Sequence, residues 1–525
     1  MTIWSRLFSY SSLSYLNKND NLAFLLNSEK FMYSIGYDIG SSSVKAALIE
    51  TATGKSIAVV SEPKVEMEMI AIENGWAEQD PNEWWKHICN ATKELVKSNA
   101  IVPSTITGIG ISYQMHGLVI VDKNGKPLRN SIIWCDSRAV EIGQKAFDDL
   151  GNDKCSEQLL NSPANFTASK LKWVKENEPE LFSKIHKFML PGDYIAYKLS
   201  DTICSTISGL SEGIFWDYKS NEIADWLLEY YGIEKNRVPE LVDTFSVQGK
   251  VSRKGAAESG LAVGTPILYR AGDQPNNALS LNVFNPGEVA ATGGTSGVVY
   301  AITENLSVKE SSRVNNFAHV NYRNANPRIG KLLCINGSGI MYRWLLNNLA
   351  VSSYEDMNAL AESAPIGSDG VTIHPFGNGA ERMLNNKTLG ARFSNINLNN
   401  HNKAHLCRAA LEGIAFSFVY GMEIMKSDGI APQVIRAGND NLFRSDIFSN
   451  TISTLIGQEI EIYNTTGAIG AARACELHKG DFITFGKRII DNDFVMGFKP
   501  SKTKKEYEEA YYNWKKELEG MLENE

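Results

Sequence analysis

Two short turns constrain this chain most. Asp38-Ile39-Gly40-Ser41-Ser42-Ser43 stands between the strand-like runs Tyr33–Tyr37 and Val44–Ile49. About 250 residues later, Thr292-Gly293-Gly294-Thr295-Ser296-Gly297 stands between Glu288–Ala291 and Val298–Ile302. Each reads as strand, small hydroxylated turn, strand. Such a turn lets backbone N–H groups and hydroxyls come close to an anion. One copy is ordinary hairpin chemistry. Two copies suggest facing hairpins that clamp a polyphosphate.

Strand and helix patterns alternate around both turns. Asp80-Pro81 is an N-cap followed by proline at the first helical position, and predicts a helix over 81–98. Strands are expected at 106–112, 118–121, 132–134 and 266–270, and helices at 169–177 and 276–281. Asn285-Pro286-Gly287 punctuates the chain before the second turn and marks the expected domain boundary. Beyond it the pattern predicts strands at 331–335, 433–437 and 459–463. Helices are predicted at 340–349, 403–426, 442–456 and 467–477. Two halves of alternating strands and helices argue for a two-domain α/β protein. Near the end Tyr507, Tyr511, Trp514, Leu518 and Met521 recur at helical spacing, the pattern of a face docked on a core.

The 525 residues suffice for two full cores, and 43% apolar with 21% charged content is that of a soluble globular protein. A formal net charge of −8 argues against a nucleic-acid partner. No run reaches the apolar length of a membrane span. Seven scattered cysteines without a C-x-x-C read as reduced cytosolic thiols, placing the protein in the cytoplasm. Residues 1–31 lack a basic region followed by a sustained apolar one. They are expected to lie outside the fold, with translation starting at Met32.

No P-loop, H-E-x-x-H or Rossmann fingerprint is present, so the chemistry must come from the turns and strand ends. Asp38 is the only carboxylate of the first turn. Beside a polyphosphate it would anchor Mg²⁺ through water; otherwise it caps its own turn. Asp273 ends a strand in Gly272-Asp273-Gln274, where α/β proteins bind ligands. It reads either as a general base for an attacking hydroxyl or as the N-cap of the next helix. Gln114-Met115-His116-Gly117 joins two strands and could line a polyol pocket, although a lone histidine is often structural. Trp76, Trp84, Trp85, Trp134 and Trp216 read as packing.

These motifs together resemble the FGGY carbohydrate kinases from about Tyr33 to the C-terminus. The matching segments are Asp38–Lys45, Gly75–Trp85, Phe166–Trp173, Gly272–Gln274, Gly293–Gly297 and Ala437–Asn441. Within that family Gln114-Met115-His116-Gly117 points to the branch that phosphorylates D-xylulose. Glycerol kinases carry an arginine–glutamate pair at Met115-His116. Two departures stand out: Phe393-Ser394-Asn395 where the family's second signature has a glycine, and Gln274 where an asparagine is usual in that branch.

The resemblance implies two ribonuclease H-like domains of the actin/hexokinase/Hsp70 type around a cleft, over 32–284 and 285–525. It implies ATP and Mg²⁺ as cofactors, a small sugar as partner and a homodimer. Gly40, Ser41, Ser42, Ser43, Gly294, Thr295 and Ser296 would hold phosphates; Gly337, Gly438 and Asn441 would bound the adenosine; and Asp38 would anchor the metal. Gln114, Met115, His116, Asp273 and Gln274 would hold the sugar, with Asp273 as the base. Ribulose, glycerol and gluconate remain alternative substrates, and an ATP-driven conformational switch is the alternative outside metabolism.

Overall fold

A computed structural model describes residues 31–524; the expectation for the leader falls almost wholly outside them. In the first half, β1 (Tyr33–Ile39), β2 (Val44–Glu50), β3 (Ser56–Glu62), β4 (Ile106–Tyr113), β5 (Gly249–Lys250) and β6 (Pro266–Gly272) form one sheet of order β5-β6-β4-β1-β2-β3. In the second, β7 (Glu288–Gly293), β8 (Gly297–Thr303), β9 (Asn315–Ala318), β10 (Ile329–Ile335), β11 (Val434–Gly438), β12 (Ile460–Tyr463) and β13 (Phe494–Phe498) form another of order β9-β10-β8-β7-β11-β12-β13.

The two sheets repeat one design. Three strands run antiparallel through the hairpins (β1-β2-β3; β7-β8-β10), and two more join the first strand in parallel (β4 and β6; β11 and β12). Parallel neighbours need crossover connections, which the intervening helices supply. This is the ribonuclease H-like arrangement of the actin/hexokinase/Hsp70 fold. Each hairpin turn therefore lies at the C-terminal end of its sheet's first strand, beside the ends of the parallel strands, where open α/β sheets take ligands.

Nine helices matter to the site: α1 (Pro81–Ser98), α2 (Thr167–Asn177), α3 (Ile207–Glu212), α4 (Asp273–Ser280), α5 (Gly339–Asn348), α6 (Lys403–Ser427), α7 (Asp446–Ile456), α8 (Gly467–Ala474) and α9 (Lys504–Glu523). Asp80 caps α1 by accepting from the Asn82 N–H at 2.9 Å, with Pro81 in the first turn. The stripe on α9 docks as its spacing predicted. Tyr507, Tyr511, Trp514 and Leu518 are buried, and the Trp514 indole donates to the Ile373 carbonyl at 2.9 Å.

Helix α8 belongs to the second half of the chain but packs on β1, β2 and β4 of the first. Its backbone approaches so closely that a Cβ on Gly36 would lie 2.1 Å from the Ala468 carbonyl oxygen, and one on Gly110 1.8 Å from that of Ala471. Only glycine fits those two strand positions. Helix α4 in turn lies against α8, where a Cβ on Gly470 would meet Ser280 Oγ at 1.6 Å. The two halves are thus linked by a packed helix pair directly behind the strand ends.

Several element bounds differ from the sequence reading. Helix α4 begins at Asp273, not 276, because Gln274-Pro275 is compatible with a first turn. The helix expected over 442–456 divides into a 3₁₀ turn, Asn441–Arg444, and α7, with Ser445 between them in an extended conformation. The helix expected over 467–477 ends at Ala474 and tightens into a 3₁₀ turn, Cys475–Lys479. Trp134 lies past its strand, Ser131–Ile132, and is exposed. None of the described helices is long and apolar enough to cross a membrane.

Candidate active site

The ends of β1, β4 and β6 bring the first-half residues together. Asp38 is the register partner of Ser112, whose hydroxyl donates to Asp38 Oδ1 at 2.8 Å. Asp38 does not cap its own turn: Gly40 N–H closes that turn on the Ser43 carbonyl at 3.0 Å. Behind Asp38 stands the first residue of α8, where a Cβ on Gly467 would lie 2.6 Å from Asp38 Oδ2. A helix N-terminus at that point favours negative charge.

Asp273 is the first residue of α4, not its cap; the N-cap is Gly272, with no side-chain capping bond. Both carboxylates are half-buried. Burial raises the Asp38 carboxyl, opposed by the Ser112 hydrogen bond and then by Lys45. Burial, and after it the charge of Asp38, pushes Asp273 up to about 7. A carboxyl held up by burial and by a neighbouring carboxylate is suited to a proton transfer near neutral pH. Neither pairs with a lysine or arginine among the described residues.

That charge deficit is the test of Mg²⁺. The described residues hold no group of three or more acidic, histidine or cysteine side chains that could enclose a metal. A site offering one or two carboxylates, with phosphate and water to complete it, fits Mg²⁺. Asp38 could hold such an ion through water.

Gln114, Met115 and His116 follow β4. The Gln114 N–H donates to the Ile39 carbonyl at 2.8 Å, one residue from Asp38. Met115 packs on Gly272, where a Cβ would meet its Cγ at 2.6 Å. His116 has left-handed backbone, φ 60°, and its ring sits between Phe166 and Phe317 at 4.8 and 5.2 Å. Its Nδ1 lies 2.9 Å from the Glu212 carbonyl, so Nδ1 carries the proton and Nε2 is an acceptor. Burial, then the Lys170 charge, takes His116 down to about 3, which keeps it neutral. Gln274 neighbours Asp273 and lowers its carboxyl through its backbone and side-chain amides.

Sequence reasoning missed the second rank of this wall. Lys170, on α2, is buried and donates to the His116 and Ile133 carbonyls at 3.0 and 2.9 Å. Burial depresses it to about 7. Glu212, at the end of α3, is fully buried beside Gly272; burial and then Asp273 raise its carboxyl well above the usual range. Gln79 was inside a segment singled out for its resemblance, but nothing in the spacing showed where its amide points. Phe317 comes from β9 of the other half and carried no local signal.

The second turn is built differently. The N–H of Gly339 donates to the Gly294 carbonyl at 3.0 Å and that of Ile340 to the Thr295 carbonyl at 3.1 Å, so the start of α5 grips the turn through backbone alone. Next to it opens a cavity of about 310 Å³ lined by Gly293, Gly294, Thr295, Tyr342, Asn358 and Asn441, among others. Tyr342 and Tyr354 stack at 5.8 Å along its side. Of the residues expected at a nucleotide, Gly294, Thr295 and Asn441 line this cavity. Ser296, Gly337 and Gly438 do not; a Cβ on Gly337 would lie 2.1 Å from the Pro375 carbonyl oxygen, so it is packed against backbone. In the first turn, among the described residues, the hydroxyls of Ser41, Ser42 and Ser43 have no protein partner. Lys45, just past that turn, lies within charge range of Asp440 in the second half.

Known proteins share this fold. The N-terminal domain of the FGGY family of carbohydrate kinases matches residues 33–280, and the C-terminal domain matches 289–475. A xylulose kinase of Haemophilus influenzae is 30% identical over 412 residues, covering 77% of this chain and 81% of its own. The crystal structure of xylulose kinase from Rhodospirillum rubrum superposes with a TM-score of 0.82 at 24% identity, covering 94% of this chain and all of the other. The fold is equally that of a Plasmodium falciparum glycerol kinase with ADP, at a TM-score of 0.83, 20% identity, and 94% and 98% coverage. This chain belongs to the FGGY family of carbohydrate kinases.

Proposed function

We propose that the protein transfers the γ-phosphoryl group of ATP to the terminal hydroxyl of D-xylulose, giving D-xylulose 5-phosphate. The observation that carries this reading is the Asp38–Asp273 pair at the strand ends, with Gln114, Met115 and His116 beside it. Curated relatives named as xylulose kinases support the choice of sugar.

In this reading Gln114, Met115, His116 and Gln274 hold an open-chain ketose against Asp273. The Asp273 carboxylate takes the proton of the terminal hydroxyl as that oxygen bonds to the γ-phosphorus and ADP departs. The neutral Nε2 of His116 accepts from a sugar hydroxyl. Gly40, Ser41, Ser42 and Ser43 face the phosphates from one side, and Gly294, Thr295 and Ser296 from the other. The adenosine occupies the cavity beside Tyr342 and Asn441, with Gly337 and Gly438 supporting its edge from behind. Asp38 would hold Mg²⁺, which when bound neutralises phosphate charge. The halves meet near Phe284–Asn285, and their closure excludes water that would otherwise take the phosphoryl group. With every described cysteine free, the protein suits a reducing cytosol.

The test is ADP release with Mg-ATP against D-xylulose, ribulose, glycerol, gluconate and no sugar. Turnover confined to D-xylulose is expected. Turnover confined to another sugar overturns the substrate, and sugar-independent hydrolysis alone overturns the kinase role of Asp273.

A further inference from the structure

The Gln79 amide joins the Gln114 segment to the first turn. It lies on the two-residue strand Glu78–Gln79, 3% exposed. Its Nε2 donates to the Ser41 carbonyl at 2.7 Å and to the Glu68 carbonyl at 3.3 Å. Its Oε1 accepts from the Trp84 indole and from Gln114 Nε2, each at 3.1 Å.

Chemistry fixes which way round this amide stands. An indole N–H only donates, and a backbone carbonyl only accepts. Gln79 must therefore turn Oε1 to Trp84 and Nε2 to Ser41. Gln114 must then meet Gln79 with its own N–H. The consequence falls on Gln114 Oε1, which is buried with no donor in a residue 2% exposed. Among the described residues this acceptor has no partner, so the chain of bonds that starts at Trp84 ends at Gln114.

We propose that Gln79 is a positioning residue that couples the sugar side of the site to the first phosphate turn. Through Gln114 it braces the segment expected at the sugar; through the Ser41 carbonyl it holds the turn. Trp84, on α1, sets the polarity of the whole chain of bonds. The inference rests on the functional reading above and deepens it.

Steady-state kinetics of Gln79→Met and Gln79→Glu test it. The methionine variant removes all four bonds at similar volume. KM for D-xylulose and KM for Mg-ATP are both expected to rise about tenfold, with kcat within about threefold and circular dichroism unchanged. The glutamate variant is the conservative partner. Its neutral carboxyl can still donate to Ser41 and accept from Trp84 and Gln114, whereas its carboxylate cannot donate. The ratio of mutant to wild-type KM for Mg-ATP should therefore fall toward one as pH is lowered from about 8.5 to about 6.5. Movement of only one KM in the methionine variant, or a pH-independent ratio in the glutamate variant, overturns the coupling. Wild-type turnover of ribulose, glycerol or gluconate in place of D-xylulose overturns the sugar assignment, and the two KM values are then read with that substrate, where they decide the coupling on their own. Wild-type turnover of none of these removes both.

Discussion

The two phosphate-type turns look alike in sequence and are held in different ways. The first adds side-chain bonds to its backbone ones: Gly40 N–H closes on the Ser43 carbonyl and Met67 N–H on the Ser42 carbonyl, while Gln79 holds the Ser41 carbonyl and Ser112 the neighbouring Asp38. The second is gripped by backbone, from the first N–H groups of α5. The first turn shares the Gln79 amide with Gln114, so its geometry depends in part on a buried polar group that requires its partners. The second adjoins an open cavity, where shape and a close glycine contact suffice.

The largest expected effect breaks the first side only. Asp273→Asn should lower sugar-dependent kcat by about a hundredfold or more, the usual scale for loss of a general base. Binding of a non-hydrolysable ATP analogue, followed by calorimetry, should persist. Wild-type-like turnover would remove Asp273 from the role.

Next in size is a break confined to the second side. A Cβ on Gly339 would lie 2.3 Å from the Gly294 carbonyl oxygen, and backbone cannot step aside cheaply. Gly339→Ala should raise KM for Mg-ATP by about tenfold or more, in line with the 1–3 kcal/mol typical of overpacking. KM for the sugar should stay within about twofold. Equal loss on both substrates would mean that the turns are not independent in this sense.

The smallest effect sharpens the comparison electrostatically. The Asp273 carboxyl stands raised from 3.8 to about 7, so it is protonated below that pH and unable to accept a proton. In the free enzyme kcat/KM for the sugar should therefore fall on the acid side of about 7 and level off above it. Asp38 is a cause of that rise, second to burial. Asp38→Asn should move the acid limb to lower pH while weakening the Mg²⁺ dependence. An unmoved limb would show that the Asp38 charge does not set the Asp273 carboxyl.

Much of the fold was legible because its signals are local. Hairpin turns, the Asp80-Pro81 helix start and the α9 stripe each depend on neighbours a few residues away, and each formed where its chemistry placed it. The breaks at Ser445 and Ala474 were not legible, because a single apolar pattern continues through them and the tertiary contacts choose where the helix stops. In the site, Asp38, Asp273 and the Gln114–His116 segment stood out by position at strand ends. Lys170, Glu212, Gln79 and Phe317 did not, since lysine, glutamate and glutamine ordinarily face solvent and phenylalanine ordinarily packs.

By itself the sequence determined the two hairpins, the order of the strands and helices, and the carboxylates that end them, because turn chemistry and periodicity act over short stretches. Only the tertiary structure decided that Asp38 lies within charge range of Asp273, that α8 crosses to the other half's sheet, and that Gln79 joins Gln114 to Ser41. Those partners lie tens to hundreds of residues apart in the chain. What brings them together is close packing around glycines and the demand that every buried polar group find a partner, neither of which any local pattern records.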